Sequence, residues 1–268
     1  MHTTLIQIGP FAIRSYGLML ALSFLLGILL ARWRGRKVGL DTQRLIDLAV
    51  VVIIASVVGS RAMYVLFHLD EFSGNPLDII NPFQSSGQVG IQGLSMYGGV
   101  ILSVLAGLWF LRHQRMPVWR VVDVIAPSIA LGIVLTRIGC FLNGCCFGKP
   151  GDLPWCVVFP PESAAGYFFP GTPLHPTQLY ASLYGLLILV MLLLSERLKR
   201  FDGFTFWLFI LLYAAARFSI DFVRYYERTM TVQLGSLALS VNHFISLALF
   251  LVAVAMLIIL GRRCRAWP

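Results

Sequence analysis

Charge is what this chain has least of. Asp, Glu, Lys and Arg together make up 12% of its 268 residues, about half the share of a soluble globular domain. Acidic groups are the scarcer kind: 12 Asp and Glu stand against 21 Lys and Arg, with only five His. Internal repeats and low-complexity segments are also absent. Too little polar surface remains to face water on all sides, which excludes a water-soluble globular protein. It also changes the meaning of the net charge of +9. In a soluble chain that excess would suggest nucleic acid. Here the collection of Lys and Arg in cytoplasmic loops accounts for it, so no nucleic-acid partner is expected.

What is abundant is apolar sequence: 58% hydrophobic residues and a mean hydropathy of +0.80. A span across about 30 Å of hydrocarbon needs roughly 20 residues. Seven stretches qualify, at about 13–31, 46–68, 96–111, 118–140, 177–195, 204–226 and 241–260. Basic clusters punctuate them: Arg32, Arg34, Arg36 and Lys37; Arg112, Arg115 and Arg120; Arg197, Lys199 and Arg200; Arg262, Arg263 and Arg265. If every span crosses, all four clusters fall on one side, which the positive-inside rule makes the cytoplasm. The first span lacks a basic leader and a small-residue cleavage site and is followed by a basic stop, so it is expected to remain in place. The expected fold is an all-α integral membrane protein of about seven transmembrane helices, one polytopic domain over 1–268. The N-terminus is extracytoplasmic and the C-terminus cytoplasmic. Two Pro- and Gly-rich segments, near 69–95 and 144–176, form extracytoplasmic arms or caps that cannot hold long helices.

Four arginines stand inside the apolar spans, where each costs about 2.5–3.5 kcal/mol at a helix centre. These are Arg61, Arg137, Arg217 and Arg224. All fall in the outer halves of their spans, which suggests one polar site open to the exterior. Tyr213, Arg217, Asp221 and Arg224 follow helical spacing and share one face. That face is either a structural ion pair or an anion site, and the planar fork of Arg suits phosphate. The exit of the fourth span runs Arg137-Ile-Gly-Cys140-Phe-Leu-Asn143-Gly-Cys145-Cys146-Phe-Gly148. Its glycines allow a tight turn of exposed amides beside Arg137. His175 to Tyr180 opens the fifth span, putting His175 and Gln178 at the outer interface. Tyr16 sits near the outer end of the first span, and Tyr97-Gly98-Gly99 begins the third. Either tyrosine is an interfacial belt residue or a hydrogen-bonding partner of substrate.

Cysteine is sparse. Cys264 follows the last span. Cys140, Cys145, Cys146 and Cys156 all lie at or beyond the outer end of the fourth. An oxidising exterior favours disulfides, with Cys156 bonded to Cys145 or Cys146 the favoured pairing. Zinc is the competing use, with His175 the only obvious helper at irregular spacing.

These blocks, in this order and at these depths, resemble the prolipoprotein diacylglyceryl transferase family of the bacterial cytoplasmic membrane. The resemblance covers Ser15 to Gly17, Gly59 to Phe67, Gly93 to Gly99, Asp123, Arg137 to Gly148, His175 to Tyr180, Tyr213, Arg217, Asp221 and Arg224. It implies transfer of the diacylglyceryl group of phosphatidylglycerol to the lipobox cysteine in the signal-peptide region of a prolipoprotein. A thioether forms and glycerol-1-phosphate leaves. It implies Arg137 and Arg217 on the lipid phosphate, and Tyr16, Asn143, Gly148 and Tyr213 lining the head-group site, with His175 and Gln178 nearby. It further implies Arg61, Gly98, Gly99, Asp221 and Arg224 in the substrate shell, Tyr97 on the proton-transfer side, and no metal or organic cofactor. The chain departs from the family pattern in having Tyr97 where His is usual, Cys140 for Asn, Cys145 for Glu and Ala181 for an acid. An unperturbed tyrosine, at about pKa 10, is a poor base at neutral pH. Two other readings stay open: a divergent phospholipid-dependent transferase with another acceptor, and a non-catalytic phospholipid-binding membrane protein.

Overall fold

The computed structural model describes residues 4–8, 11–72, 79, 93–226, 231–234 and 237–265. A short strand pair, β1 (Thr4–Ile8) and β2 (Phe11–Arg14), precedes α1 (Ser15–Lys37). Then come α2 (Thr42–Phe67), α3 (Met96–His113), α4 (Val118–Asn143), the one-turn α5 (Ala164–Phe168), α6 (Thr177–Leu194) and α7 (Phe204–Asp221). An antiparallel hairpin of β3 (Thr231–Leu234) and β4 (Leu237–Ser240) leads into α8 (Val241–Arg265). Among the described residues seven helices are long and apolar enough to cross a membrane: α1, α2, α3, α4, α6 with the turn after it, α7 and α8. The all-α membrane class therefore holds, with two small strand pairs that hydropathy does not announce. Of the first expected arm, 73–78 and 80–92 lie outside the described residues.

The chain divides into two compact units. One is dominated by the α2–α3 hairpin within 32–121. Asp41 caps α2 by accepting from the Gln43 and Arg44 amides, which starts this helix at Thr42, earlier than the hydrophobic run. Glycine governs the packing. A Cβ on Gly59 would strike the Gly98 carbonyl, one on Gly98 the Gly59 carbonyl, and one on Gly99 the Ser60 hydroxyl. The two backbones approach as only small residues permit, and this contact is what Gly98 and Gly99 make. Arg61, 7% exposed, turns its guanidinium onto backbone: Nε donates to Ile79 O at 2.9 Å and Nη1 to Gly93 O at 3.3 Å. The Phe72 ring lies 4.9 Å from its Cζ. Arg61 thus tethers the chain beyond α2. Tyr97 is exposed on the first turn of α3.

The other unit holds most of α1 and everything from 122 onward. A Cβ on Gly132 would lie 3.2 Å from Ser23 Oγ of α1 and one on Gly139 3.0 Å from Met19 Cβ, so both glycines let α1 approach α4 closely. Ala126, Ala130, Ile188, Leu192 and Phe209 form a core shared by α4, α6 and α7. Asp123, 1% exposed, fastens the start of α7. Its oxygens accept from Gly203 N at 2.7 Å and Phe206 N at 2.9 Å, and pair with Lys199 Nζ at 2.9 Å. A carboxylate there meets amides left without partners at a helix N-terminus and complements the helix dipole.

Candidate active site

The C-terminal end of α4 closes in a Schellman turn. Gly144, at φ 67°, donates its amide to Phe141 O at 3.1 Å, and Cys145 N donates to Cys140 O at 3.1 Å. This turn brings the side chains three residues before the cap and just after it together, which here are Cys140 and Cys145. Cys146 then takes φ 62°, a left-handed conformation costing of order 1–3 kcal/mol for a non-glycine residue. The result is a cluster: the Sγ atoms of Cys140, Cys145 and Cys146 all lie within 4.8 Å of one another. Cys140 is buried and the other two are half-buried. All five cysteines are free thiols, so the favoured bridge from Cys156 to Cys145 or Cys146 is not made. The chain around Cys156 is committed elsewhere: Cys156 N donates to Leu153 O in a turn, and Val157 pairs with Leu174.

The next three residues form the middle rung of an extended ladder. On one side Gly148 N donates to His175 O at 3.0 Å and His175 N to Lys149 O at 3.1 Å. On the other, Lys149 N donates to Val223 O at 2.8 Å and Tyr225 N to Phe147 O at 3.2 Å. Gly148 has no room for a side chain, since a Cβ would lie 2.7 Å from both the Cβ and the carbonyl oxygen of His175. The ladder corrects one expectation. The sixth span was expected to run to residue 226 with Arg224 on its helical face; α7 ends at Asp221, because residues 223–225 leave the helix to pair with 147–149. Arg224 is presented from this rung, opposite Gly148. The start of α6 grips the thiol turn from the other side: Thr177 Oγ1 donates to Cys146 O at 2.9 Å and Gln178 Nε2 to Cys145 O at 2.8 Å. Phe147, Phe159, Ala165 and Leu174 give the 144–176 segment a small core of its own.

Around this framework three arginines converge. Arg137, Arg217 and Arg224 all lie within electrostatic reach of the Tyr184 hydroxyl. Arg217 Nη2 bonds Tyr226 Oη at 2.7 Å and pairs with Asp221 Oδ1 at 3.2 Å, while Tyr226 donates to Asp221 Oδ1 at 2.7 Å. Burial, joined by the bond to Asp221, pushes Tyr226 up to about 12, so it is a neutral donor throughout the physiological range. Asn242 donates to the same hydroxyl at 3.1 Å. Arg137 makes no hydrogen bond or ion pair among the described residues, and Arg224 only overlies the Tyr226 ring, at 5.5 Å. Among the described residues the acid paired with these guanidinium groups is Asp221, through Arg217, and the surplus is positive. Tyr213 packs edge-on against Tyr184 at 6.2 Å. Tyr16 stands beside Arg137 and the three thiols, and Asn143 reaches the Cys145 thiol. Cys145 Sγ donates to Cys140 O at 3.8 Å, and Arg224 and Arg137 act on the Cys146 thiol at electrostatic range.

Of the residues singled out from the sequence, this unit brings together Tyr16, Arg137, Asn143, Gly148, Gln178, Tyr213, Arg217, Asp221, Arg224 and three of the four cysteines. His175 holds the outer edge, with Nδ1 at 3.2 Å from Tyr180 Oη. Arg61, Tyr97, Gly98 and Gly99 belong to the α2–α3 unit. Three residues escaped the sequence reading. Tyr184 carries a buried hydroxyl with no partner among the described residues; its one signal is its place a helical turn after Tyr180. Tyr226 lies five residues past Asp221, outside any helical pattern. His243, 2% exposed, accepts from the Ser240 amide at 3.1 Å through Nδ1, while its buried Nε2 has no partner among the described residues. Nothing in its local sequence marks it.

Comparison with known proteins identifies the family. The sequence profile of prolipoprotein diacylglyceryl transferase matches residues 3–259. Curated relatives named phosphatidylglycerol–prolipoprotein diacylglyceryl transferase include one from Bordetella avium, 32% identical over 98% of this chain and 96% of its own. Another, from Solidesulfovibrio magneticus, is 38% identical over 82% of this chain and 80% of its own. A third, from Synechococcus elongatus, is 32% identical over 88% and 80%. A match along nearly the whole length, together with seven membrane-length helices and the Arg137 to Gly148 turn, shows that this chain belongs to the prolipoprotein diacylglyceryl transferase family.

Proposed function

We propose that this protein transfers the diacylglyceryl group of phosphatidylglycerol to the lipobox cysteine of prolipoproteins, at a site facing the extracytoplasmic side of a bacterial inner membrane. The observation that carries this reading is positive charge in excess among the described residues: Arg137, Arg217 and Arg224 lie within electrostatic reach of the Tyr184 hydroxyl, which has no partner there, and only Arg217 is paired with an acid, Asp221. A half-buried surplus of guanidinium is stabilised when an anion joins it, and a phosphodiester fits its paired donors. In the reaction, the acceptor sulfur attacks the glycerol carbon that bears the phosphate oxygen. The carbon–oxygen bond breaks, its electron pair leaves on glycerol-1-phosphate, and the thiol proton leaves with that product or to solvent. The arginines stabilise the charge that grows on the departing phosphate, where fixed donors in a dry site are most effective. Arg137 and Arg217 are the phosphate ligands in this reading. Tyr16, Asn143, Tyr184 and Tyr213 shape the head-group pocket, and the 147–149 rung holds the pocket together.

The test is reconstitution with phosphatidylglycerol and a lipobox peptide, followed by mass spectrometry for the thioether-linked lipid. Product is expected from the intact protein, and none from Arg137→Ala or Arg217→Ala although both insert normally. A reference enzyme active under the same conditions beside an inactive protein here would overturn the reading. Lipid binding without transfer to any thiol would favour the non-catalytic alternative.

A further inference from the structure

The three-thiol cluster has no place in the phosphate chemistry just described, yet it has the form of a metal site. We propose that Cys140, Cys145 and Cys146 bind one zinc ion and leave one coordination position open, and that this position takes the acceptor thiol. The second half of the proposal rests on the transferase reading; the first does not.

Zinc–sulfur bonds of about 2.3 Å place tetrahedral thiolates roughly 3.8 Å apart. The three Sγ atoms already lie within 4.8 Å of one another, so adjustments of about 1 Å or less in side-chain position would close the site. The backbone has been shaped to this end. The Schellman turn joins Cys140 to Cys145, and the left-handed conformation of Cys146 swings the third sulfur in.

The ligand count decides the kind of site. A structural zinc takes four protein ligands, whereas one that handles substrate takes three and keeps a vacancy. Among the described residues no fourth Cys, His, Asp or Glu joins the three. His175, the helper the sequence suggested, is engaged with Tyr180. Burial is lopsided in the same sense, complete over Cys140 and partial over Cys145 and Cys146. Three thiolates and Zn²⁺ sum to one negative charge, and Arg224 and Arg137 lie within electrostatic range of Cys146. Gln178 adds a polar atom with nothing to do: its side chain is 0% exposed, its Nε2 is on the Cys145 carbonyl, and its Oε1 has no partner among the described residues.

The chemistry follows. A thiol that coordinates zinc gives up its proton and binds as thiolate, replacing a water on the metal, and the proton passes to solvent. The bound sulfur keeps its electron pair and attacks the glycerol carbon of the lipid, whose phosphate the neighbouring arginines hold. The carbon–oxygen bond breaks toward phosphate. The product sulfur is now a neutral thioether, a weak zinc ligand, and water takes its place. No oxidant or reductant is involved, and zinc is unchanged.

The experiment has three readouts on protein purified without added chelator. Metal analysis should find one zinc per chain, absent from C140S, C145S and C146S and retained in C156S and C264S. With cobalt in place of zinc, the thiolate-to-cobalt absorption should shift on adding a lipobox peptide with Cys and stay put with the Ser peptide. Removal of zinc should cut lipid transfer at least a hundredfold, and zinc should restore it. Metal-free protein, or a copper-loaded one, that transfers lipid at full rate overturns the proposal and leaves the transferase reading standing. A cobalt spectrum indifferent to the Cys peptide overturns the open position. Zinc with a thiol-responsive spectrum but no lipid transfer keeps the site and overturns the transferase reading instead. If the serine variants fail to fold, the intact protein's metal content and cobalt spectrum still decide.

Discussion

At the scale of single residues, the site divides into groups that announce themselves and groups that do not. Arg137 and Arg217 are legible because a charge inside an apolar span needs a reason. Tyr184 is not, because a tyrosine in a membrane helix is ordinarily a packing or belt aromatic. Only the folded chain shows its hydroxyl buried and unpartnered within reach of three arginines. A hydrogen bond to a charged group is worth about 1.5–3 kcal/mol. Tyr184→Phe should therefore lower kcat/KM for phosphatidylglycerol by roughly ten- to a hundredfold, with unfolding unchanged or slightly harder. Equal kcat/KM in the two proteins would remove Tyr184 from the head-group site. The Arg217–Tyr226–Asp221 network holds in place one of the two arginines proposed to bind phosphate. Half of it was readable as helical spacing, and the other half comes from a tyrosine beyond the helix.

At the scale of elements, two connections carry the architecture, and hydropathy reveals neither. The first is the ladder of 174–175, 147–149 and 223–225, which joins the end of α4 to the start of α6 and the end of α7. Gly148→Val should break it, because the added side chain meets a carbonyl that cannot move aside. The measurable outcome is loss of transfer with faster proteolysis within 144–176; full activity would show that the rung tolerates a wider spacing. The second is Asp123, whose two oxygens serve Lys199 and the first amides of α7. Removing one partner of a buried ion pair costs about 3–5 kcal/mol, so Asp123→Ala should sharply lower the detergent-solubilised unfolding midpoint. An unchanged midpoint would make this cap dispensable. The sequence did show that 144–176 could hold no long helix, since its prolines forbid one. It could not show which strangers the extended chain would pair with.

At the scale of the whole molecule, the distribution of basic residues makes a claim about direction. Four clusters of Lys and Arg on one side predict that α8 ends in the cytoplasm. Cys264, exposed near that end, and Cys156, in the 144–176 segment, give a native test. A membrane-impermeant thiol reagent should label Cys156 on intact spheroplasts and reach Cys264 only after the membrane is opened. The reverse pattern would invert the topology and with it the proposed face of the site.

The sequence by itself determined the membrane class, the number of long apolar helices and the presence of arginines inside the spans that needed an ion-pair partner or an anion. Those properties follow from composition and run length, which solvent exclusion reads directly. The tertiary structure decided what depends on meeting at a distance. It ended α7 at Asp221 because residues 223–225 found a strand partner in 147–149. It left Cys156 unbridged and gathered Cys140, Cys145 and Cys146 instead, because a glycine-capped turn and one left-handed residue point three sulfurs inward. Local sequence specifies such a turn, but only the folded chain shows which side chains come together when it closes.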